Sequence, residues 1–487
     1  MTQGNWQALL RDASQLRAAG RIPEAIAAYR DALSVNPDLP DSWFNLAWMQ
    51  RQVRAFGSAL ESYQRALDLG IAKPEEVHVN RAAILSECLH RPRDAKDELR
   101  AALEKNPNYT PALVNLGNLH EDLGEAEDAR AAYRRALEID PGATLPLARL
   151  ATCSLSSELD SELAARLRAR IDEPTATNTQ RAGLGFALAA MLDAAGEYDQ
   201  AFATVTAAND ASRAAAGSRG VYDRAKQEQF VDRLIALFDR PPSDAEAGPS
   251  PVFICGMYRS GSTLVEQILA GHSGVVAGGE LDLVPALVAT VAGYPEPFAN
   301  ADAAVFARAR AFYLAGLPEP PGAKLVTDKR PDNFLHLGLI KSMFPASKII
   351  HTVRNPLDNL LSLYFLHLDA SSAYALDLAD AAHWYAQYRR LMRHWAELYG
   401  DDMLKVDYDA LVRDPEPVVK NITRFLGLEW EESLLDFVRT DRAVKTASVW
   451  QVREPLYTRS SGRWRNYEGH LEPLRSALAE AGIATDE

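Results

Sequence analysis

Residues 251–264 read PVFICGMYRSGSTL, and this stretch decides the fold of the second half of the chain. The apolar run PVFIC predicts a short buried strand, and a helix is expected to begin at Ser262 or Thr263. Gly256 and Gly261 have the spacing of the phosphate loop G-x-x-x-x-G-K-[ST], although Ser262 stands in place of its lysine. Backbone N–H groups converge where a strand, a glycine loop and a helix meet, so we expect an anion site. The alternative is a plain strand-to-helix turn.

Strands and helices alternate after this loop, which predicts an α/β domain with a mostly parallel, doubly wound sheet. Ligands in such folds bind beyond the carboxyl ends of the strands. Arg259, Lys329 and Arg354 each fall at or just after a predicted strand end, so we expect these side chains to converge. Further strands are predicted over 323–328, 347–354 and the start of 402–412, with helices over 262–272, 333–344 and 357–368.

The N-terminal part of the chain repeats itself every 34 residues, since Tyr29 recurs as Tyr63 and Pro107 as Pro141. This period resembles the tetratricopeptide repeat, a helix-turn-helix unit. Stacked units form an all-α solenoid whose groove suits a protein or peptide, but such arrays also serve in dimerisation, so a homodimer stays open. The expected domains are the repeat array over 1–212, a connecting helix and linker over 213–250, and the α/β domain over 251–487.

The composition is typical of a globular protein with more than one domain. The chain has 487 residues, of which 47% are hydrophobic, and its formal net charge is −14. That charge argues against a nucleic acid or an anionic membrane as partner, although a local basic pocket stays allowed. Three isolated cysteines indicate neither a disulfide framework nor a metal site. With no secretory signal or membrane span in the sequence, a cytoplasmic location is expected.

The segment PVFICGMYRSGSTLVEQILAGHSGVVAGGE resembles the 5′-phosphosulfate loop of sulfotransferases, most closely the tyrosylprotein sulfotransferase branch. Those enzymes use 3′-phosphoadenosine 5′-phosphosulfate, and their loop reads P-R-S-G-T-T-L, where this chain has Tyr258 for the proline and Ser262 for the first threonine. The resemblance covers roughly residues 250–467, and repeats followed by such a domain are similar to a bacterial arrangement. It implies a sulfotransferase without a metal, whose donor contacts include Arg259, Ser260, Gly261, Ser262 and Thr263.

Two further motifs resemble the family's contacts to the donor's 3′-phosphate and adenine. In VRNPLDNLLS, Arg354 and the serine eight positions later, Ser362, have the family's spacing, and an arginine fork suits a phosphate. The bland alternative is a strand-end arginine beside a helix serine. REPLYTRSSGRWRNYEGHL (453–471) resembles the closing C-terminal loop. The resemblance there implies contacts from Arg459, Ser460, Ser461, Gly462 and Arg463, and from Tyr408 in KVDYDALVRDP.

The catalytic residues are also implied by resemblance. VTDKRPDNF matches the family's catalytic lysine to Lys329, and Glu280 follows Arg259 by 21 residues, the interval at which the tyrosyl branch places its glutamate base. Lys329 and Arg259 would then stabilise charge on the transferred group. A surface lysine and a solvated glutamate are the alternatives. Asp282 replaces a branch arginine, which leaves the acceptor hydroxyl open among a peptide tyrosine, a carbohydrate and a small molecule.

Two competing functions stay open in the sequence. Asp328 ends an apolar strand, as a magnesium-holding aspartate of a nucleotide-dependent kinase or ATPase would, although Ser262 in the lysine position argues against this class. A repeat scaffold with an inactive second domain is the other alternative. The aromatic stripe over 383–400 is expected in the core, and the histidines at 336, 351 and 367 have no metal-ligand spacing.

Overall fold

A computed structural model describes residues 6–241, 250–299, 301–317, 325–368, 370–436 and 460–485. The chain divides into two compact units, Met1–Cys153 and Ser154–Glu487. Within the described residues, no helix is both long and apolar enough to cross a lipid bilayer.

The first unit is built from helices that pack in consecutive antiparallel pairs, as the repeat period predicts. Tyr133 is fully buried, and a Cβ added at Gly117 would lie 2.4 Å from its ring, so the small residue lets the two helices of a pair approach closely. The helices are α1 (Trp6–Ala18), α2 (Ile22–Val35), α3 (Pro40–Gln52), α4 (Phe56–Asp68), α5 (Pro74–Ala83), α6 (Pro92–Lys105), α7 (Thr110–Leu123), α8 (Ala126–Ile139) and α9 (Thr144–Thr152).

The second unit begins with four helices and continues as alternating strands and helices. The opening helices are α10 (Ser161–Ile171), α11 (Asn178–Ala194), α12 (Tyr198–Ala216) and α13 (Arg224–Leu237). Then follow β1 (Val252–Gly256), α14 (Ser262–Ala270), β2 (Val275–Ala277), α15 (Leu283–Ala289), α16 (Glu296–Ala299), α17 (Ala303–Ala315), β3 (Leu325–Lys329), α18 (Leu337–Met343), β4 (Ile349–Val353), α19 (Pro356–Tyr364), α20 (Leu378–Tyr399), β5 (Met403–Asp407), α21 (Tyr408–Arg413), α22 (Pro415–Leu426) and α23 (Glu472–Glu480).

The five strands form one parallel sheet in the order β2-β3-β1-β4-β5, which confirms the fold class. From the central strand β1 the chain first builds β2 and β3 on one side and then crosses to β4 and β5 on the other. This reversal opens a crevice beside the carboxyl end of β1, where ligands bind in folds of this type. The loop after β1 and the loop after β4 both border that crevice.

Helices cover both faces of the sheet, because side chains along each strand alternate between them. On one face, Ile254 of β1 packs with Val265 and Ile268 of α14, and α21 and α22 complete that layer. On the other face, Phe253 packs against Tyr313 of α17, with ring centroids 5.8 Å apart. Trp395 of α20 is fully buried, so the aromatic stripe over 383–400 does belong to the core.

Candidate active site

The loop between β1 and α14 lies so close to its neighbours that two positions require glycine. Gly256 has φ 154°, and a Cβ there would lie 2.4 Å from the backbone oxygen of Thr352. Gly261 has φ 98°, and its Cβ would lie 2.5 Å from the ring of Tyr408. Arg259, at the apex, is itself left-handed with φ 70°, an unusual conformation for a residue with a side chain. The loop is therefore a tight backbone cradle.

Internal hydrogen bonds hold this cradle in shape. The Ser260 hydroxyl donates to the Met257 oxygen at 2.6 Å and hydrogen-bonds with Thr352 Oγ1 at 2.7 Å. Asn359 of α19 donates to the Tyr258 oxygen at 2.9 Å. Ser262 and Thr263 begin α14, and the N-cap residue is Gly261, which has no side chain to accept from the first N–H groups of the helix. Those N–H groups and the helix dipole suit an anion.

The two arginines predicted to bind the donor meet at the crevice. Arg259 Nε donates to Ser362 Oγ at 3.0 Å, which joins the loop motif to the VRNPLDNLLS motif. Arg354 Nη1 donates to the Arg259 oxygen at 3.2 Å, and its guanidinium lies 4.8 Å from the centroid of the Tyr408 ring. Arg354 Nε is buried and has no hydrogen-bond partner among the described residues.

The C-terminal segment reaches the same crevice, but its residues divide between two places. Arg354 also donates to the Ser460 oxygen, and Asp358 accepts from the Gly462 N–H at 2.5 Å and the Trp464 N–H at 2.8 Å. Arg463 instead pairs with Asp193 of α11 at 3.0 Å. Ser461 is half-buried beside them. Arg459 lies outside the described residues.

The expected catalytic pair, Lys329 and Glu280, lies at the carboxyl end of β3. Lys329 is the last residue of that strand and is fully buried, so it is not a surface lysine. Its ammonium donates to Glu280 Oε1, while the Glu280 side chain keeps 33% of its area exposed. The Lys329 N–H also donates to the Gly279 oxygen at 2.9 Å, which ties the Gly278–Glu280 turn to the strand.

Glu266 of α14 is a buried carboxylate at this site that sequence reasoning missed. Its Oε1 accepts from Thr327 Oγ1 at 2.7 Å and from the Gly279 N–H at 3.0 Å. Burial raises the pKa of Glu266, and the Lys329 ammonium opposes that rise. One signal was present in the sequence, because Glu266 is the single charged residue in the otherwise apolar or uncharged helix STLVEQILA.

The other acidic residues singled out in the sequence lie apart from the Lys329–Glu280 pair. Asp282 pairs with Arg330 at 2.7 Å. Asp328 is fully buried and accepts from the Tyr313 hydroxyl at 2.8 Å, on the opposite face of the sheet from Glu266. Burial raises the pKa of Asp328 to about 7.

A grouping of side chains with metal-binding spacing occurs in the first unit. In the part of the chain that the structure describes, it consists of His120, Glu125 and Asp128. Lys96 donates to Glu125 at 2.8 Å, so a positive charge already lies against this grouping. The grouping therefore carries no argument for a metal at the site described above.

The protein class follows from comparisons with known families. Residues 251–432 match the sulfotransferase family, and residues 89–144 and 13–49 match tetratricopeptide repeat families. The chain therefore carries tetratricopeptide repeats followed by a sulfotransferase-family domain, and the resemblance found in the sequence is confirmed.

Particular known proteins are similar to all or part of this chain. An uncharacterized protein of Aquifex aeolicus (strain VF5) is 30% identical over 471 residues, which cover 91% of this chain and 60% of that protein. A putative protein-tyrosine sulfotransferase of Caenorhabditis briggsae is 25% identical over 224 residues, or 44% of this chain and 80% of that protein. The solved sulfotransferase domain of the Synechococcus PCC 7002 olefin synthase is 24% identical, and the match covers 50% of this chain and 98% of that domain with a TM-score of 0.38. The chain thus spans less than two thirds of the length of the Aquifex relative.

Proposed function

We propose that this protein transfers a sulfuryl group from 3′-phosphoadenosine 5′-phosphosulfate to an acceptor hydroxyl. The observation that carries the proposal is the fully buried Lys329, bonded to the partly exposed Glu280, on the sheet edge that also carries the glycine loop. A buried cation beside an accessible carboxylate is the combination that sulfuryl transfer to a hydroxyl needs.

The residues around the crevice fit a donor with phosphates at both its 5′ and 3′ ends. The loop cradle and the first N–H groups of α14 would hold the 5′-phosphosulfate. The guanidinium of Arg354 suits the 3′-phosphate, since its Nε has no hydrogen-bond partner among the residues that the structure describes. Ser362 accepts a hydrogen bond from Arg259 at the same crevice. We also assign donor contacts to Ser460, Ser461 and Gly462, and keep Arg459 and Tyr408 as proposed contacts. The donor supplies an activated sulfuryl group on a phosphate leaving group.

Glu280 and Lys329 have complementary roles in this proposal. Glu280 removes the proton of the acceptor hydroxyl, which for a tyrosine has a pKa of about 10 and is a weak nucleophile without help. Lys329 has its ammonium out of water, where its charge stabilises a developing negative charge more strongly than at the surface. Arg259 is expected to add to this stabilisation from the loop.

The acceptor class is part of the proposal. Relatives such as the Caenorhabditis briggsae protein are named as protein-tyrosine sulfotransferases, which favours a tyrosine of a protein or peptide. The tetratricopeptide repeats are the part of the chain suited to hold that protein or peptide. Asp282 occupies the position where the tyrosylprotein sulfotransferase branch has an arginine, and it pairs with Arg330. Carbohydrate and small-molecule hydroxyls therefore remain the alternative acceptors.

A magnesium-dependent kinase is the weaker candidate. Such an enzyme needs the strand-end aspartate to face the phosphates through a metal. Asp328 instead points to the side of the sheet covered by α17, where it is bonded to Tyr313. Thermal-shift measurements with adenosine 3′,5′-bisphosphate and with ATP–magnesium separate the two, since we expect stabilisation by the bisphosphate alone.

The direct test is transfer of label from 3′-phosphoadenosine 5′-[³⁵S]phosphosulfate to cell-extract acceptors. We expect the wild-type protein to label an acceptor and Glu280→Gln to reduce turnover about 10²- to 10⁴-fold, the usual range for a positioned base. Calorimetric affinity for adenosine 3′,5′-bisphosphate should stay unchanged in this variant. Equal turnover of the two proteins would remove Glu280 from the mechanism, and failure of the wild type to bind the bisphosphate would overturn the proposed function.

A further inference from the structure

Glu266 lies at the junction of three elements of the site. It belongs to α14, the helix that begins at the glycine loop, and its side chain is almost fully buried. One oxygen, Oε1, accepts from the hydroxyl of Thr327 in β3 and from the N–H of Gly279, next to Glu280. Glu266 thus connects the helix of the loop, the strand that ends in Lys329 and the turn that carries Glu280.

The Gly278–Glu280 turn is held through its backbone at every residue before Glu280. The Gly278 N–H donates to the Thr327 oxygen at 3.0 Å. The Gly279 N–H donates to Glu266, and its oxygen accepts from the Lys329 N–H. A Cβ at Gly278 would lie 2.3 Å from the Thr327 oxygen, so the turn packs directly on the strand. The bond from Gly279 to Glu266 is a side-chain tether that a substitution at Glu266 removes, and a longer contact of 3.4 Å joins the Gly278 N–H to Thr327 Oγ1.

The charges of the site agree with a role for Glu266 as a hydrogen-bond acceptor rather than as a catalytic carboxylate. The ammonium of Lys329 is paired with Glu280, and its charge also acts on Glu266. A second buried negative charge would disfavour an anionic donor nearby. Burial raises the pKa of Glu266, which favours its uncharged form, and an uncharged carboxyl still accepts both hydrogen bonds.

We propose that Glu266 is a positioning residue, which fixes the turn carrying Glu280 relative to α14 and to Lys329. The inference rests on the proposed function, because it concerns the placement of the proposed base. Glu266 acts through Gly279 and does not itself take the acceptor proton. A misplacement of about 1 Å in a reacting group lowers rates by up to about 10²-fold, so loss of this tether should appear in turnover.

The test compares Glu266→Gln with Glu266→Leu in the full chain. Glutamine keeps an oxygen at Oε1, so we expect its kcat within about threefold of wild type. Leucine removes the acceptor, so we expect kcat to fall about 10- to 100-fold. In both variants the KM for the donor and the calorimetric Kd for adenosine 3′,5′-bisphosphate should stay within about twofold of wild type.

Three outcomes overturn the inference while leaving the proposed function intact, provided that the wild type transfers label. The first is that Glu266→Leu keeps the kcat of the wild type. The second is that kcat falls equally in Glu266→Leu and Glu266→Gln, which would make Glu266 the proton acceptor. The third is that the affinity of Glu266→Leu for adenosine 3′,5′-bisphosphate falls together with its kcat. If the leucine variant does not fold, Glu266→Met replaces it. Methionine also removes the oxygen that accepts from the Gly279 N–H, with a side chain close to glutamate in length, and an unchanged kcat there would overturn the inference. A wild type without transfer activity instead overturns the proposed function.

Discussion

At the scale of single residues, the end of β3 shows how one strand serves two faces of the sheet. Side chains alternate along a strand, so Thr327 and Lys329 face the side of α14 and Asp328 faces the side of α17. Lys329 therefore reaches Glu280, while Asp328, one residue away, is enclosed with Tyr313. Lys329 and Asp328, although adjacent in sequence, therefore have different roles, and a substitution of Asp328 should change the stability of the fold rather than turnover.

Asp328→Asn tests that assignment through the pH dependence of stability. Burial raises the pKa of Asp328 from 3.8 to about 7. The folded protein therefore keeps this proton up to about pH 7, while the unfolded chain releases it near pH 4. A carboxyl with a raised pKa stabilises the fold at low pH, and this contribution is lost as pH rises between those values. Asparagine stays neutral, so the variant should gain roughly 3 kcal/mol relative to wild type between pH 5 and pH 8.

Urea denaturation of both proteins at pH 5 and pH 8 measures this difference. Comparing the variant with wild type cancels the titration of groups that do not interact with Asp328. The asparagine oxygen can still accept from the Tyr313 hydroxyl, so the packing is kept. A stability difference that is the same at both pH values would show that Asp328 is ionised in the folded protein.

At the scale of elements, β1, the loop and α14 form one unit whose backbone is the proposed binding surface for the donor. The chain of the loop passes close to the end of β4 and to Tyr408. The close approaches at Gly256 and Gly261 fix that path, and Ser260 fastens it to Thr352. A small displacement of this element should therefore lower the affinity for the donor more than it lowers the stability of the domain.

Gly261→Ala should separate the two effects. Its Cβ would lie 2.5 Å from the Tyr408 ring at a left-handed φ of 98°, so the loop must shift. We expect the affinity for adenosine 3′,5′-bisphosphate to fall about tenfold or more, equivalent to about 1.4 kcal/mol. Gly427→Ala is the matched control, because Gly427 is also left-handed at 67° but has no atom within 4 Å of its added Cβ. Isothermal titration calorimetry of both variants would contradict the prediction if their affinities fell equally.

The sequence predicted the elements that have strong local patterns. The strand-loop-helix at 251–264, the strands β3, β4 and β5 and the repeat helices were all recognisable from apolar runs, glycines and the 34-residue period. β2 was not predicted, because three residues, Val275–Ala277, are too few for an alternating pattern. The helix predicted over 333–344 is instead the end of a 3-10 helix, Pro331–His336, followed by the short helix α18. No capping pattern in the sequence marks that change, so it was not predicted.

The candidate site could be predicted in its motifs but not in its cross-contacts. Resemblance indicated Lys329, Glu280, Arg259 and Arg354, since each belongs to a recognisable motif. The role that we propose for Glu266 depends on tertiary contacts such as the one between its Oε1 and Thr327, 61 residues away in the sequence. No local sequence pattern predicts such a contact. The same holds for Asp358 and Arg463, whose partners lie 104 and 270 residues away. Tertiary pairing of single polar side chains is therefore what the sequence leaves undetermined.

At the scale of the whole second unit, the helical hairpin α11–α12 packs onto residues 463–470, which adjoin the proposed donor crevice. Asn209 of α12 is buried and donates to the Tyr364 oxygen at 3.0 Å, and Phe202 stacks on His470 with ring centroids 4.5 Å apart. Asp193 of α11 accepts from the Tyr467 hydroxyl and pairs with Arg463. The hairpin, although its sequence resembles a repeat, is thus part of the surroundings of the proposed donor site.

Asp193→Ala tests whether the hairpin supports donor binding. The substitution leaves the Arg463 guanidinium, 19% exposed between the rings of Phe365 and Tyr467, without its carboxylate. A largely buried charge without its partner is costly, so we expect a loss of about 2 kcal/mol in the free energy of unfolding, reduced from the fully buried case by the remaining exposure. Because Gly462 adjoins Arg463, affinity for adenosine 3′,5′-bisphosphate should also fall severalfold.

Asp199→Ala is the matched control for this prediction, since it removes another carboxylate that links the hairpin to the same segment. Asp199 pairs with His470 at 2.7 Å, but its side chain is 94% exposed, so the pair should contribute little in water. Urea denaturation and calorimetry on both variants give the comparison. If Asp193→Ala behaved like Asp199→Ala in both measurements, the hairpin would be a passive neighbour of the crevice. A loss of stability and of bisphosphate affinity in Asp193→Ala alone would instead show that the hairpin supports the proposed donor site. The connection would run through Arg463 and its neighbour Gly462, whose N–H donates to Asp358.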